Sequence, residues 1–267
     1  MTVGMPRWKS KASSRPLDLP MAAFDWLTAR PIAHRGLHDT SSGVVENTGS
    51  AFSAAIAAGY GIETDLQISA DSEAMVHHDD ALGRLTEGGG LLEDMSAAQI
   101  KMVRFKTGTG RILTLAELCD LVSGRVPLLL ELKSRFNADM RLAERAINVL
   151  ASYRGPVALM SFDPALVEFL RYQGSSLLRG IVAERHYSHP EWDLLSHSQK
   201  RNMSWLLHAP WSRPQFLAYS VKDLPAMPPL VARMMGLPLL TWTVRTADNR
   251  HVAARWADQI IFEGWRP

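Results

Sequence analysis

Short apolar runs recur along the chain, and each is followed by a polar loop and then by a segment with helix signals. Thr114 precedes Glu117 by three residues, which is the spacing of an N-terminal capping box. Asp163 before Pro164 predicts another helix start, and Gly59 predicts a helix end. The runs lie at residues 31–36, 61–68, 126–134, 157–162, 177–183, 216–221, 239–244 and 259–264.

Strand–helix units of this kind, eight in about 250 residues, predict a TIM (β/α)8 barrel. A doubly wound open sheet is the alternative that the pattern alone leaves in place. One more apolar run, residues 74–80, follows the second run after only five residues. A parallel partner strand would need a crossover of about a dozen residues. We therefore predict a small hairpin or an ordered loop inserted after the second barrel strand.

Residues 1–20 differ from the rest of the chain because they are basic and rich in Ser and Pro. This composition predicts a flexible tail, followed by a single barrel domain over residues 21–267. The tail lacks the apolar core of a signal peptide, and no run of about 18 apolar residues occurs, so we expect a cytoplasmic protein without a transmembrane segment. An alternative for the tail is attachment to a membrane surface through Arg7, Lys9, Lys11 and Arg15.

The overall composition is that of a globular protein, with 46% hydrophobic residues and a net charge of +2 over 267 residues. A nearly neutral chain gives no indication of nucleic-acid binding. Cys119 is the only cysteine, which excludes an intrachain disulfide, and its amphipathic surroundings predict a small buried side chain. The sequence makes no prediction of oligomeric state.

Carboxylates interrupt two of the predicted strands. Glu63 and Asp65 are two residues apart in one strand, and Glu131 and Lys133 have the same spacing in the next. Alternate strand residues share a face, and the carboxyl ends of barrel strands converge at one mouth. Three converging carboxylates favour a bound cation, and an all-oxygen ligand set suits Mg²⁺ or Ca²⁺. The alternative is an exposed strand face together with an ion pair between Glu131 and Lys133.

Two histidines follow predicted strands, His34 after the first and His78 after the hairpin arm. A pair of histidines can supply a general base and a general acid at neutral pH. Arg35 and Lys133 add positive charge that suits a phosphate group. Histidines, a divalent cation and these side chains around one pocket indicate cleavage of a phosphodiester.

The motifs HRG, ENT, ETD, HHDD, ELK and TWTV follow one another over residues 31–264. This ordered set resembles the glycerophosphodiester phosphodiesterase family. The resemblance favours the TIM barrel over the open sheet, and it implies a metal-dependent hydrolase that releases glycerol 3-phosphate and an alcohol from a small-molecule diester. Alternatives are a lysophospholipid or sugar-phosphodiester enzyme on the same fold, and a barrel that binds a phosphorylated ligand without turnover.

The resemblance also implies a role for eight residues. For Trp242, the alternative to a role in the site is that it simply lines the barrel. By motif position, the catalytic acid and base are His34 and His78, the metal ligands are Glu63, Asp65 and Glu131, the phosphate contacts are Arg35 and Lys133, and the glycerol contact is Trp242. His78 takes the family position, and not its neighbour His77, because it directly precedes Asp79. Glu46 and Asn47 are expected to order the loop beside the site.

The chain departs from the family pattern at two places near the predicted mouth. The last strand ends in Phe-Glu-Gly where the family commonly has Thr-Asp, and Arg245 stands where the family often has Asn. Arg245 is expected to meet an extra negative charge on the substrate or to be a surface arginine. Residues 183–214 are expected to form a surface helix and loop, with a pocket wall or lid as the alternative.

Overall fold

The computed structural model describes residues 25–267, and the predicted tail lies outside these residues. Within them the chain forms nine β-strands. Eight strands are parallel to their neighbours and are ordered β1-β9-β8-β7-β6-β5-β4-β2, and pairing of β1 with β2 closes the ring. This confirms the TIM barrel and excludes the open sheet. The strands are β1 (Ile32–Ala33), β2 (Gly61–Ile68), β3 (Ala74–Val76), β4 (Leu128–Leu132), β5 (Val157–Ser161), β6 (Leu178–Ala183), β7 (Phe216–Ser220), β8 (Leu239–Val244) and β9 (Gln259–Phe262).

Strand β3 lies outside the barrel. It pairs antiparallel with β2, and Leu66 faces Val76 while Ile68 faces Ala74. The five residues between the two strands are too few for a parallel crossover, so the chain turns back on itself. This confirms the hairpin predicted after the second barrel strand.

The helices pack around the barrel, and three of them begin or end at the signals read from the sequence. Thr114 and Glu117 form a reciprocal capping box, and Asp163 accepts a hydrogen bond from the Ala165 amide. Gly59 has the left-handed backbone conformation of a helix C-cap. The helices are α1 (Asp25–Thr28), α2 (Gly49–Ala58), α3 (Ala97–Met102), α4 (Leu115–Val122), α5 (Arg141–Leu150), α6 (Pro164–Gln173), α7 (His197–Ser204), α8 (Ala209–Ser212), α9 (Met227–Met234) and α10 (Ala247–Trp256). None of the helices described here has the length and apolar character needed to cross a membrane.

Alternation along the strands divides the core into two regions. In β4, Leu129 packs inside the barrel with Met160 and Phe216, whereas Leu128 and Leu130 pack between the barrel and the helices. Side chains two residues beyond an interior position share its face. Polar residues at the ends of the strands therefore point into the mouth of the barrel, above a filled apolar interior.

Candidate active site

The three predicted metal ligands come together at the barrel mouth. Glu63 and Asp65 lie on β2 and Glu131 lies on β4, and the strand register places Asp65 directly beside Glu131. All three side chains are buried, and one carboxylate oxygen from each lies within 4.8 Å of the others. The exposed strand face considered as an alternative is therefore excluded.

Burial and neighbouring charges shift the pKa values of this cluster in opposite directions. Burial and the neighbouring Asp65 and Glu131 raise the pKa of Glu63 well above its usual value. Burial alone would raise the pKa of Asp65 too, but the positive charge of Lys133 and other neighbours holds it well below its usual range. The Lys133 ammonium lies 2.8 Å from Asp65 Oδ1 and 2.6 Å from Glu131 Oε1. Lys133 thus forms the ion pair with Glu131 that the sequence alternative described, and it also contacts Asp65.

The donor set fits a hard divalent cation. Three buried carboxylates offer only oxygen ligands, which Mg²⁺ and Ca²⁺ prefer. Burial, together with like charge at this separation, raises the pKa of Glu63, and a cation among the carboxylates removes the cost of their mutual repulsion. The cluster could hold such an ion through Glu63, Asp65 and Glu131.

Arg35 lies in a tight turn against this cluster. Its backbone has a positive φ of 56°, and its amide donates a hydrogen bond of 3.0 Å to Glu63 Oε2. The next residue is Gly36, at which a Cβ atom would lie only 2.9 Å from backbone and side-chain atoms of Ala51 in α2. Glycine is therefore required for this close approach, which explains the Gly of the HRG motif.

The Arg35 side chain is held by carboxylates on two sides. Its NH1 donates a hydrogen bond of 2.6 Å to Glu46 Oε1, and its Nε lies 3.4 Å from Asp65 Oδ2. That Nε is buried and has no hydrogen-bond partner among residues 25–267. Asn47 donates from its amide nitrogen to the same Asp65 Oδ2 at 2.9 Å. Glu46 and Asn47 thus order this loop, as expected from the sequence.

His34 is fixed by a partner that the sequence did not reveal. Its Nδ1 lies 2.6 Å from Glu263 Oε2, and its Nε2 lies 3.9 Å from Glu63 Oε2. Burial lowers the pKa of His34 to about 4, against the opposing effect of Glu263. Although burial raises the pKa of Glu263, hydrogen bonds from His34 and Arg245 hold it well below its usual range. An ionised carboxylate can only accept, so Nδ1 carries the proton and Nε2 is an unprotonated acceptor.

Arg245 and Glu263, the two departures from the family pattern, contact each other. Arg245 donates to Glu263 from Nε at 3.1 Å and from NH2 at 2.8 Å. The Arg245 side chain is half exposed, as a surface arginine would be, and the negative charge that it meets belongs to the protein. Glu263 therefore receives hydrogen bonds from a buried histidine on one side and from a surface arginine on the other.

His78 is held in a similar way, in the loop after β3. Its Nδ1 lies 2.8 Å from Asp79 Oδ1, and the other oxygen of Asp79 accepts a hydrogen bond of 2.6 Å from Arg84. Burial would raise the pKa of Asp79, but His78 and Arg84 hold it well below its usual range. Arg84 also donates to Glu46 at 2.7 Å, so Glu46 links the Arg35 turn to the His78 loop. This network again leaves Nε2 of the histidine free of partners within the part of the chain that the structure describes.

A cavity of about 680 Å³ opens beside His78, Glu131 and Lys133. Its far wall is aromatic and includes Phe162 and Trp192. Trp192 belongs to the segment after β6, so part of that segment forms a pocket wall. A lid motion of the segment stays a prediction.

Trp242 lies at the mouth, where it contacts Phe162 edge to face with ring centroids 5.6 Å apart. Its indole N–H donates to the Ala218 carbonyl at 2.9 Å. The ring surface, and not this N–H, is therefore what Trp242 offers to a substrate, and its role as the glycerol contact stays a prediction.

The barrel mouth brings together a buried carboxylate cluster, two oriented histidines and the positive side chains of Arg35 and Lys133. This combination is typical of an enzyme that hydrolyses phosphodiesters. Comparison with known proteins makes the class more specific. The sequence profile of the glycerophosphoryl diester phosphodiesterase family matches residues 34–263. The chain belongs to this family and is a phosphodiesterase.

Individual relatives agree with this assignment. A glycerophosphodiester phosphodiesterase of Caldanaerobacter subterraneus is 28% identical over 243 residues, which cover 86% of this chain and 92% of the relative. A Silicibacter pomeroyi structure assigned to the glycerophosphoryl diester phosphodiesterases is 25% identical, with a TM-score of 0.73 and coverage of 90% of this chain and 93% of that one. An Oleispira antarctica phosphodiesterase, solved with the product sn-glycerol-3-phosphate, shares the fold at 21% identity, a TM-score of 0.70 and coverage of 88% and 92%.

Proposed function

We propose that this protein hydrolyses glycerophosphodiesters to glycerol 3-phosphate and an alcohol with the help of a bound divalent cation. The observation that carries the proposal is the buried cluster of Glu63, Asp65 and Glu131, together with two histidines that are each held by a further carboxylate. Mg²⁺ or Ca²⁺ held there would polarise the phosphate and offset the negative charge that develops in the transition state.

His34 acts as the general base in this proposal. Because Glu263 accepts from Nδ1, the Nε2 lone pair faces the carboxylate cluster. Burial lowers the pKa of His34, so the ring is neutral at physiological pH, which is the protonation state that a base requires. In one route the proton comes from the substrate's own glycerol 2-hydroxyl, which attacks phosphorus and expels the alcohol to form a cyclic phosphate that water then opens to glycerol 3-phosphate. In the other route it comes from a water molecule that attacks phosphorus directly.

His78 acts as the general acid for the leaving alcohol. It lines the 680 Å³ cavity, which is large enough for an alcohol group, whereas His34 is not among the residues that line it. Asp79 orients the ring through Nδ1. In this role His78 would act as the imidazolium, which keeps its Nδ1–H on Asp79 and gives its Nε2 proton to the leaving oxygen. This assignment follows from the position of the cavity.

Binding of the substrate falls to the cations and to Trp242. The buried Nε of Arg35 and the ammonium of Lys133 lie beside the carboxylate cluster, where they would contact phosphate oxygens. Trp242 would cover the glycerol carbons with its ring surface, since its N–H is already engaged.

The first test is release of glycerol 3-phosphate from a panel of glycerophosphodiesters, with Mg²⁺ or Ca²⁺ and again with EDTA. The proposal requires release that EDTA abolishes and that a divalent ion restores. Release only from lysophospholipids or sugar diesters would replace the substrate class. Tight binding of diesters without any product would leave a binding protein and contradict the proposal.

The histidine roles need a substrate series with different leaving groups. An alcohol of low pKa leaves without protonation, so His78→Ala should lose far less activity on a p-nitrophenyl diester than on an alkyl diester. His34→Ala should lose similar activity on both, and His186→Ala, at an exposed histidine, should change neither. The opposite pattern would exchange the two roles.

A further inference from the structure

The segment that contains α7 and α8 presents large apolar side chains to solvent. Trp205, Leu207 and Trp211 are 59%, 56% and 39% exposed. These side chains are not loosely placed, because the residues between them are buried. Leu206 and His208 are buried. Their burial determines which side chains of the segment face solvent.

The same segment is unusually poor in negative charge. Residues 194–222 contain no Asp or Glu, and they contain four Lys or Arg. Arg201 and Arg213 are exposed, and Lys200 is partly exposed. Aromatic rings beside cations are typical of protein surfaces that lie at the headgroup level of a bilayer. We call Lys200, Arg201, Trp205, Leu207, Trp211 and Arg213 the α7–α8 surface.

Hydrogen bonds place the C-terminal part of this surface away from the mouth. The Arg213 carbonyl accepts a hydrogen bond of 3.0 Å from Arg179, at the start of β6. The Trp211 carbonyl accepts one of 3.0 Å from Arg171, near the end of α6. Parallel strands start at the end of the barrel opposite the mouth, so an occupant of the Trp211–Arg213 part of this surface lies away from the catalytic mouth.

We propose that the α7–α8 surface binds the surface of a membrane that contains anionic phospholipids. Cations attract the phosphate headgroups, and the indole rings and Leu207 enter the boundary between headgroups and acyl chains. The basic segment at residues 1–20 has the wrong charge to cover this surface. A nucleic acid would satisfy the cations but would offer no apolar layer to Leu207.

The other exposed apolar face differs in its charge. Helix α9 exposes Met227, Met234 and Met235, but its Arg233 is paired with Asp258 at 2.7 Å. The charge of that arginine is therefore not available to anionic headgroups. Helix α9 supplies the matched control for a purely apolar exposed surface.

The test is co-sedimentation of the full chain with vesicles made of equal parts phosphatidylglycerol and phosphatidylcholine, and with vesicles of phosphatidylcholine alone. We expect binding to the first that weakens as salt is added. Each cation at the surface contributes about fivefold in affinity, so Arg201→Gln with Arg213→Gln should weaken binding roughly 25-fold. Trp205→Ser with Trp211→Ser should weaken it more than about tenfold, because each ring carries a large apolar area.

Two control variants distinguish the α7–α8 surface from the basic tail and from apolar side chains exposed elsewhere. Met227→Ser with Met234→Ser removes two exposed apolar side chains of helix α9, and should leave binding within about twofold of the parent. Replacement of Arg7, Lys9, Lys11 and Arg15 by Gln tests the tail. Hydrolysis of a soluble diester should persist in every variant, which shows that the barrel is intact.

The proposal fails if the parent chain does not prefer anionic vesicles, or if the tail variant abolishes binding while the α7–α8 variants retain it. It also fails if sedimentation velocity shows that Trp205→Ser with Trp211→Ser converts a dimer to a monomer while vesicle binding is unchanged. The α7–α8 surface would then bind a second copy of this chain and not a membrane.

Discussion

Glu263 is the positioning residue whose removal should have the clearest effect on turnover. The change is Glu263→Gln, which keeps the shape of the side chain and removes its charge. The amide can donate to Nδ1 as well as accept from it, so it no longer enforces the tautomer in which His34 Nε2 is the acceptor. The bond lost is a short one of 2.6 Å between a carboxylate and a buried imidazole.

The size of the effect follows from that bond. A hydrogen bond to a charged group contributes about 1.5–3 kcal/mol, and about 1.4 kcal/mol corresponds to a tenfold change in rate, so kcat should fall roughly 10- to 100-fold. KM should change little, because Glu263 is not among the proposed phosphate contacts. Release of glycerol 3-phosphate under saturating diester and metal measures kcat, and thermal unfolding checks the fold.

Arg245→Gln is the matched control because it removes the outer partner of the same carboxylate. The Arg245 side chain of this pair is half exposed, and such pairs contribute about 0–1 kcal/mol, so kcat should fall less than about fivefold. If Glu263→Gln keeps kcat within about twofold of the parent, or if Arg245→Gln is equally damaging, the positioning role of Glu263 is refuted.

Three further predictions follow from the charges of the site and core. Without metal, Glu63→Gln should leave the melting temperature unchanged or raise it, because it removes a carboxyl group whose pKa is raised by burial and like charge. The same variant should lose the stabilisation that metal gives the parent. Differential scanning calorimetry with and without Mg²⁺ measures both effects. Asp79→Asn should lower kcat roughly tenfold or more by freeing His78, and an unchanged leaving-group dependence would argue against that reason. Burial lowers the pKa of His208 to about 4, so as the pH falls the unfolded state binds the proton first, and the free energy of unfolding decreases from about pH 6.5 towards pH 4. Urea unfolding at pH 7 and pH 5 should show that His208→Asn loses up to about 2 kcal/mol less of this free energy than the parent does.

The barrel could be predicted because its causes are local. Eight apolar runs, the spacing between them and the capping residues each depend on nearby sequence. The five-residue gap before β3 likewise decides between a crossover and a hairpin. The acidic cluster was predictable for the same reason, since Glu63 and Asp65 share a strand face and Glu131 lies beside Asp65 near the end of the neighbouring strand.

The carboxylate partner of His34 could not be predicted in this way. Glu263 contacts His34 across 229 residues of sequence, and the sequence marks it only as a departure from the family pattern. The link from Arg84 to Glu46 likewise spans 38 residues and depends on the path of two loops. Contacts of this kind follow from closure of the ring and from loop conformation, which no periodic pattern encodes.

The most direct test of the whole account is to titrate the metal-free protein with Mg²⁺ or Ca²⁺ and follow binding by calorimetry and glycerol 3-phosphate release in parallel. The account predicts that activity rises with occupancy of a site that Glu131→Gln and Glu63→Gln both weaken. Full activity in metal-free protein, or undiminished metal binding and turnover in both variants, would contradict the claim that this carboxylate cluster carries the reaction.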